Sequence, residues 1–402
     1  MVRRASLVLA VLASATAADP CGMVPPIWTG EGAAITRVGE QKTYVFYRNG
    51  IESFVIRPGF SGKIDEFGML IPFPTPPFVR SMPDDIFEHV QKAIDPPEIV
   101  VDVRRRSSFF GDDMAPMSDP KSTEQGLAYE GVRVLREEAV GMYELAVLEA
   151  GSAVALKRWM DEHGYVYPRG MDATCQEFIE LGWCFVAVKT RVGKRKGVDP
   201  HPGMEGIDAA LPPGSNFDGF VHAMEYRFRT DELVVPMRLS AFNEGELHNI
   251  VYLLTDDPMR IRTAGFSEAM VVRQLSGEEL YRNVTGPLPL RVIGGSYDDI
   301  PEGRRRSLPA ERDPVPHNGL ARDLFASDLL AVRRGRLSNP FEEEEKDLSN
   351  IGEELSLRGP EIDLLVRQAV ASEQADAVAE ALEDLKSMTL TVIDSDFPRE
   401  RL

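Results

Sequence analysis

The sequence predicts an α+β fold, and three observations carry that prediction. Short runs rich in β-branched and aromatic residues fill the first hundred residues. From about residue 131, strands with antiparallel-type alternation continue around an inserted helix pair. The last eighty residues shift to helix formers. The division expected is a leader over 1–17, a β-rich block over 18–103, a loop or linker over 104–130, a mixed α+β block over 131–294, a linker over 295–319 and a helical appendage over 320–402.

In the first block, Thr43 to Tyr47 and Ile51 to Ile56 read as strands around Arg48-Asn49-Gly50, where Asn-Gly tolerates the positive φ of a tight hairpin turn. Phe67 to Phe73 reads as a strand that runs into Pro72, Pro74, Pro76 and Pro77, which suits an edge because proline cannot donate to a ladder. Pro83 opens a helix with Ile86, Phe87, Val90 and Ile94 on one face. Residues 104–130, with Arg104-Arg105-Arg106 at their start, show no periodicity.

In the second block, Val132 to Glu138 and Tyr143 to Glu149 read as strands. Ser152 to His163 reads as an amphipathic helix burying Val154, Ala155, Trp159 and Met160, with Gly164 at its stop. A second helix, Ala173 to Leu181, leads to an apolar strand, Trp183 to Arg191. Past the polar stretch 193–219, strands are expected at Phe220 to Arg229, Leu233 to Ala241 and Leu247 to Leu254. Met224, Tyr226 and Phe228 alternate with charged neighbours, the pattern of a half-buried strand. In the tail, a helix at Leu320 to Arg333 and another at Glu361 to Met388, with Leu364, Leu365, Val370, Val378, Leu382 and Leu385 as its apolar stripe, form the expected separable appendage.

The first residues predict export. Arg3 and Arg4 precede the apolar run Leu7 to Leu12, and Ala15-Thr16-Ala17 offers a small-x-small cleavage pattern, so the mature chain is expected to begin at Ala18. That apolar run is far short of the roughly 20 residues of a membrane span. The mature chain is thus expected to be periplasmic or extracellular, without a membrane span. A net charge of −19 over 402 residues argues against nucleic acid and anionic lipid as partners. Of the three cysteines, Cys21, Cys175 and Cys184, the last two are either bridged in an oxidising compartment or buried as free thiols.

Four passages read together: Phe54-Val55-Ile56-Arg57-Pro58 through Phe67-Gly68-Met69-Leu70-Ile71-Pro72-Phe73-Pro74; Gly141-Met142-Tyr143-Glu144-Leu145-Ala146-Val147-Leu148; Leu156-Lys157-Arg158-Trp159-Met160-Asp161-Glu162-His163-Gly164-Tyr165; and Cys184-Phe185-Val186-Ala187-Val188-Lys189 with Val235-Pro236-Met237-Arg238-Leu239. Their order and wording resemble the bacterial family called domain of unknown function 2330, over about residues 21–255. Members of that family begin with a cysteine and a glycine after the signal peptide, as Cys21-Gly22 does here, and often carry a second cysteine soon after, where Met23 and Val24 stand here. The resemblance implies an exported bacterial protein and offers no activity or catalytic residues to carry over.

The residues themselves name no catalytic, cofactor or metal site. The histidines His89, His163, His201, His222, His248 and His317 make no paired helix motif. His163 suits a helix end, and His222 with His248 could meet across a sheet without a third ligand. Gly214-Ser215-Asn216 and Gly294-Gly295-Ser296 are not nucleophile elbows, and no phosphate loop occurs. Trp28, Trp159 and Trp183 could line a sugar platform, with Trp159 better placed in a core. The expectation is a non-enzymatic binding or cell-surface scaffold protein whose partner is an envelope or extracellular protein or a glycan. An exported hydrolase with a carboxylate or metal site assembled in three dimensions is the alternative.

Overall fold

A computed structural model describes residues 36–37, 41–63, 68–103, 128–129, 132–140, 143–190, 216–220, 222–235, 238–242, 248–259, 271–306, 308, 319–340 and 374–396. The leader, Cys21, Trp28, Arg104 to Arg106, His201, His317 and Glu342 to Glu345 lie outside them.

The described strands run in chain order. The first seven are β1 (Thr36–Arg37), β2 (Gln41–Arg48), β3 (Ile51–Arg57), β4 (Gly59–Lys63), β5 (Gly68–Phe73), β6 (Phe78–Met82) and β7 (Ile99–Asp102). The next six are β8 (Ala128–Tyr129), β9 (Val132–Val140), β10 (Tyr143–Ala150), β11 (Cys184–Thr190), β12 (Asn216–Phe220) and β13 (Ala223–Arg229). The last four are β14 (His248–Thr255), β15 (Val271–Ser276), β16 (Leu290–Ile293) and β17 (Thr389–Asp396). The helices are α1 (Ile86–Ile94), α2 (Ala153–Glu162), α3 (Met171–Glu180), α4 (Gly277–Thr285), α5 (Glu302–Arg305) and α6 (Gly319–Arg334), and residues 374–382 are also helical.

Two sheets form the frame. One has seven strands in the order β15-β17-β14-β2-β3-β13-β6, the other five in the order β5-β11-β10-β9-β8. Strand side chains alternate between faces, and here both faces of both sheets are covered. Val45, Phe54, Ile56, Tyr226 and Phe228 of the larger sheet meet Met69, Ile71, Phe73, Leu145 and Val186 of the smaller in one apolar core. The outer face of the larger sheet, with Tyr44, Phe46, Val55, Tyr252 and Leu254, packs under α1, α4, α6 and the helix at 374–382. The outer face of the smaller sheet, with Leu70, Leu148, Phe185 and Ala187, packs under α2 and α3. The result is four layers, helix on sheet on sheet on helix, an α+β architecture.

Local chemistry explains several elements. Asn49 and Gly50, at φ 50° and 75°, turn the β2–β3 hairpin. Ser152 caps α2 by accepting from the Ala155 N–H at 3.1 Å. Pro72 sits on β5, which ends its sheet among the described residues, in keeping with its missing N–H.

The expected blocks do not separate. β5 of the first block pairs with β11 of the second, and β3 with β13. The C-terminal region is helical through α6 and 374–382, but it is not an appendage. It ends in β17, which lies between β14 and β15 inside the larger sheet. Part of the expected linker is also folded, since Ile300 and Leu308 pack with Val101 under the parallel pair β7–β16.

Three local expectations are corrected. Leu233 to Ala241 is not a strand: residues 231–235 are irregular and Arg238–Phe242 is a 3-10 helix, consistent with Pro236 denying the run a ladder hydrogen bond. Phe220 to Arg229 is split between β12 and β13, which belong to different sheets. On α2 the buried face is Ala153, Leu156, Trp159 and Met160, while Val154 is 67% exposed.

Candidate functional site

The residues singled out in sequence are dispersed. His222 accompanies Asp84, with Nδ1 2.9 Å from Oδ1, and His248 lies between Asp394 and Asp396 at 3.1 and 2.8 Å. β2 and β3 separate β14 from β13, so the two histidines do not meet. His163 ends α2, its ring stacked on Trp159 at 4.0 Å and its Nδ1 2.7 Å from the Trp159 carbonyl. Trp159 is core, and Trp183 packs on Phe178 at 5.0 Å, so these two do not form a shared platform. Ser296 closes a small capping box with Asp299.

Cys175 and Cys184 are free thiols on opposite sides of the smaller sheet: Cys175 lies on α3 and packs onto the outer face, and Cys184 on β11 faces the core between the sheets. The bridge considered from the sequence is therefore not formed in this arrangement. Burial pushes the thiols up, to about 11 for Cys175 and about 12 for Cys184, which leaves both as poor nucleophiles.

The strongest electrostatic cluster is buried under α6. Arg227 on β13 is fully buried. It donates to Glu225 Oε1 at 2.8 Å, Asp328 Oδ1 at 2.9 Å, Ser53 Oγ and Ser327 Oγ at 3.0 Å, and the Leu337 and Ser338 carbonyls at 3.3 Å. Tyr44 and Ser53 donate to Asp328 at 2.9 and 2.5 Å, and Arg80 pairs with Glu225. Burial works to raise the Glu225 carboxyl, but the charges of Arg227 and Arg80 outweigh it and hold the group low. Burial raises Asp328 against the pull of Arg227, with a further push from Glu225. Two cations face two carboxylates with their hydrogen bonds filled, which makes the cluster a fastener between sheet and helix.

An open groove of about 560 Å³ lies on the same side of the larger sheet, between α1 and the strands β14, β17 and β15. Ile94, Ile250, Tyr252 and Val392 supply its apolar part, and Glu88, Lys92, Asp95, Arg273 and Asp394 its charges. The helix periodicity of α1 produces this arrangement: Val90, Ala93 and Ile94 pack inward, which turns Glu88 and Lys92 to the rim, where they pair at 2.6 Å. Arg273 reaches Asp95 at 3.9 Å across the groove, both of them exposed, so this pair contributes little and opens readily. β15 is the last strand of its sheet among the described residues. Its pairing with β17 skips Val272, which bulges out 57% exposed into the groove. Sequence reading missed this site because α1, β14, β15 and β17 come from four distant stretches, and β15 and β17 were not read as strands.

Among the described residues no cluster of histidine, cysteine or carboxylate side chains is arranged to hold a metal, and no helix is long and apolar enough to cross a membrane. No curated protein and no solved structure matches the chain. The family model described as an uncharacterized protein conserved in bacteria matches residues 15–277, well over half of the chain. That stretch holds both partners of the β5–β11 and β3–β13 pairings, and the chain belongs to that bacterial family, domain of unknown function 2330.

Proposed function

We propose that this is an exported bacterial binding protein whose groove between α1 and β15 takes an extended peptide segment of an envelope or extracellular protein. The groove carries the reading. Its volume falls in the roughly 300–1,000 Å³ range of binding sites, and its lining combines an apolar part with charges of both signs. The adjacent strand end offers backbone groups beside the bulged Val272, the setting in which peptides add to a sheet edge. Tyr252 is the one aromatic among the described lining residues, which favours a peptide over a glycan, whose rings stack on aromatic faces. Export is supported by Arg3, Arg4, the apolar run Leu7 to Leu12 and Ala15-Thr16-Ala17.

The test is selection from a random peptide library with the purified mature chain, followed by affinity measurement on the wild type and on Val272→Asp. Enriched peptides that lose at least tenfold in affinity with Val272→Asp support the groove. Equal binding by the two, or no enrichment, sinks the reading. Cleavage of the selected peptides by the chain would favour the hydrolase alternative. N-terminal sequencing of envelope protein decides export: a start at Ala18 is expected, and a start at Met1 in the cytosol is not.

A further inference from the structure

Glu52 is a fully buried carboxylic acid on β3, directed into the core between the two sheets with Phe54 and Ile56. Its Oε2 accepts the Val234 N–H at 2.9 Å, and its Oε1 has no hydrogen-bond partner among the described residues. Residues 231–235 cover it. This segment is tied to the β2–β3 hairpin at two points, the Tyr47 hydroxyl to the Asp231 carbonyl at 2.8 Å and Val234 to Glu52 itself, and just before it the Thr230 N–H donates to the Gly50 carbonyl at 3.1 Å. Leu233 and Val235 pack on the core from the same segment, while Asp231 and Glu232 are exposed.

We propose that Glu52 is a proton-operated latch: its protonated carboxyl keeps residues 231–235 closed over this end of the core, and loss of the proton to solvent releases them. A neutral carboxyl accepts the Val234 N–H on its carbonyl oxygen and leaves one O–H without a partner, a smaller penalty than a buried charge. An ionised one would be a buried anion with a single donor, a state strongly disfavoured unless compensated. Among the described residues, the groups facing it offer no compensation. From β2 comes the Tyr47 hydroxyl, which donates elsewhere; from the covering segment come Asp231 and Glu232, both of the same sign; from β13 and β5 come Phe228 and Phe73. Lifting residues 231–235 hydrates the anion at the smallest structural cost, because these residues join no sheet. Burial accordingly raises the Glu52 carboxyl well above its usual range, against the lowering effect of the Val234 N–H.

The sign follows from that direction. The closed form holds a proton that the open form releases, so closure is fully favoured below about pH 4.3, the ordinary glutamate value, and is lost as pH rises through the elevated one. One linked proton makes opening rise up to tenfold per pH unit across that window and then level off.

Hydrogen exchange of the peptide spanning residues 230–236 in the full chain, corrected for intrinsic base catalysis and followed from pH 5 to 9, tests this. Protection that falls up to tenfold per unit and then levels off in the wild type, but stays flat in Glu52→Gln, supports the latch. Glutamine keeps an acceptor for Val234 and cannot ionise. Flat protection in the wild type, or the same slope retained in Glu52→Gln, overturns it. If Glu52→Gln does not fold, carboxyl ¹³C titration of the wild type decides: Glu52 losing its proton in step with exchange supports the latch, and titration out of step overturns it.

Discussion

Arg227 and Asp328 are 101 residues apart in the chain, yet their side chains meet at 2.9 Å with no solvent exposure on either. Arg227 lies inside the family match, which ends at residue 277, and Asp328 lies beyond it on α6. The contact makes the later part of the chain electrostatic complement to the earlier part. Asp328→Ala would leave Arg227 sharing Glu225 with Arg80, and would strip Tyr44 and Ser53 of their acceptor. Losing one partner of such a buried set costs about 3–5 kcal/mol. Asp328→Asn should cost distinctly less, because it keeps an acceptor for Ser53 and Arg227 and turns its amide to the Tyr44 oxygen. Urea unfolding of both variants checks the order. Equal losses would mean that charge, rather than hydrogen-bond satisfaction, dominates the site.

Gly277 opens α4 against the turn at Glu383–Ser387. Its N–H donates to the Met388 carbonyl at 2.8 Å, and a β-carbon built on it would come 1.7 Å from the Leu385 carbonyl oxygen. Alanine gains about 1 kcal/mol over glycine in a helix interior, less at a first position. Here the overlap is with backbone, which cannot swing aside. Gly277→Ala is expected to lower stability by about 1–3 kcal/mol or more, the scale of an overpacked core. Gly303→Ala on α5, where nothing lies within 4 Å, is the control and should be neutral or slightly stabilising. Thermal melts of the two variants distinguish steric conflict from propensity.

The parts of this fold that were legible in sequence are the parts decided by nearby residues. The β2–β3 hairpin follows from Asn49-Gly50, α1 from the spacing of Ile86, Phe87, Val90 and Ile94, and the edge position of β5 from Pro72. What escaped depends on distant pairing. Thr389–Asp396 is rich in β-branched residues, but the helical stripe read up to Met388 drew the tail into one helical unit. Glu225 and Arg227 were read as the wet side of a half-buried strand, because alternation cannot reveal a second covering layer. One signal was available: Ser327-Asp328 interrupts the apolar run Phe325, Ala326, Leu329, Leu330 on α6, which is where a buried polar partner would be needed. The groove shares this limit, since Arg273 and Asp95 are brought together only by the completed sheet and α1.

The two described cysteines should be silent in the native protein. Cys175 is fully buried and Cys184 4% exposed, and burial raises both thiols above the ordinary cysteine value, so little thiolate exists at pH 8. Iodoacetamide at that pH should label neither until denaturant is added, read by mass spectrometry of the peptides carrying each residue. Opposite faces of a sheet also keep them from pairing. A Cys175–Cys184 disulfide in protein recovered from an oxidising compartment would contradict the placement of α3.

Truncation after Asp299 tests whether the C-terminal region is an addition or a structural part. An addition would come away with a modest drop in melting temperature. The topology argues for collapse. Removing residues 300–402 takes out β17, so β15 and α4 lose the strand that joins them to the sheet. β14 becomes an edge presenting Val251, Leu253 and Leu254, an invitation to intermolecular pairing. Loss of α6 and the helix at 374–382 uncovers Tyr44, Phe46 and Val55, and leaves Arg227 without Asp328 in a newly wetted face. No local rearrangement replaces a strand inside the sheet, paired on both sides, so the truncated chain should show no cooperative thermal transition, bind a hydrophobic dye and aggregate. Adding a separately expressed chain of residues 300–402 should restore part of the cooperative signal by supplying β17 and α6. A truncated chain that melts cooperatively within a few degrees of the full one would mean that β17 is not integral to the sheet.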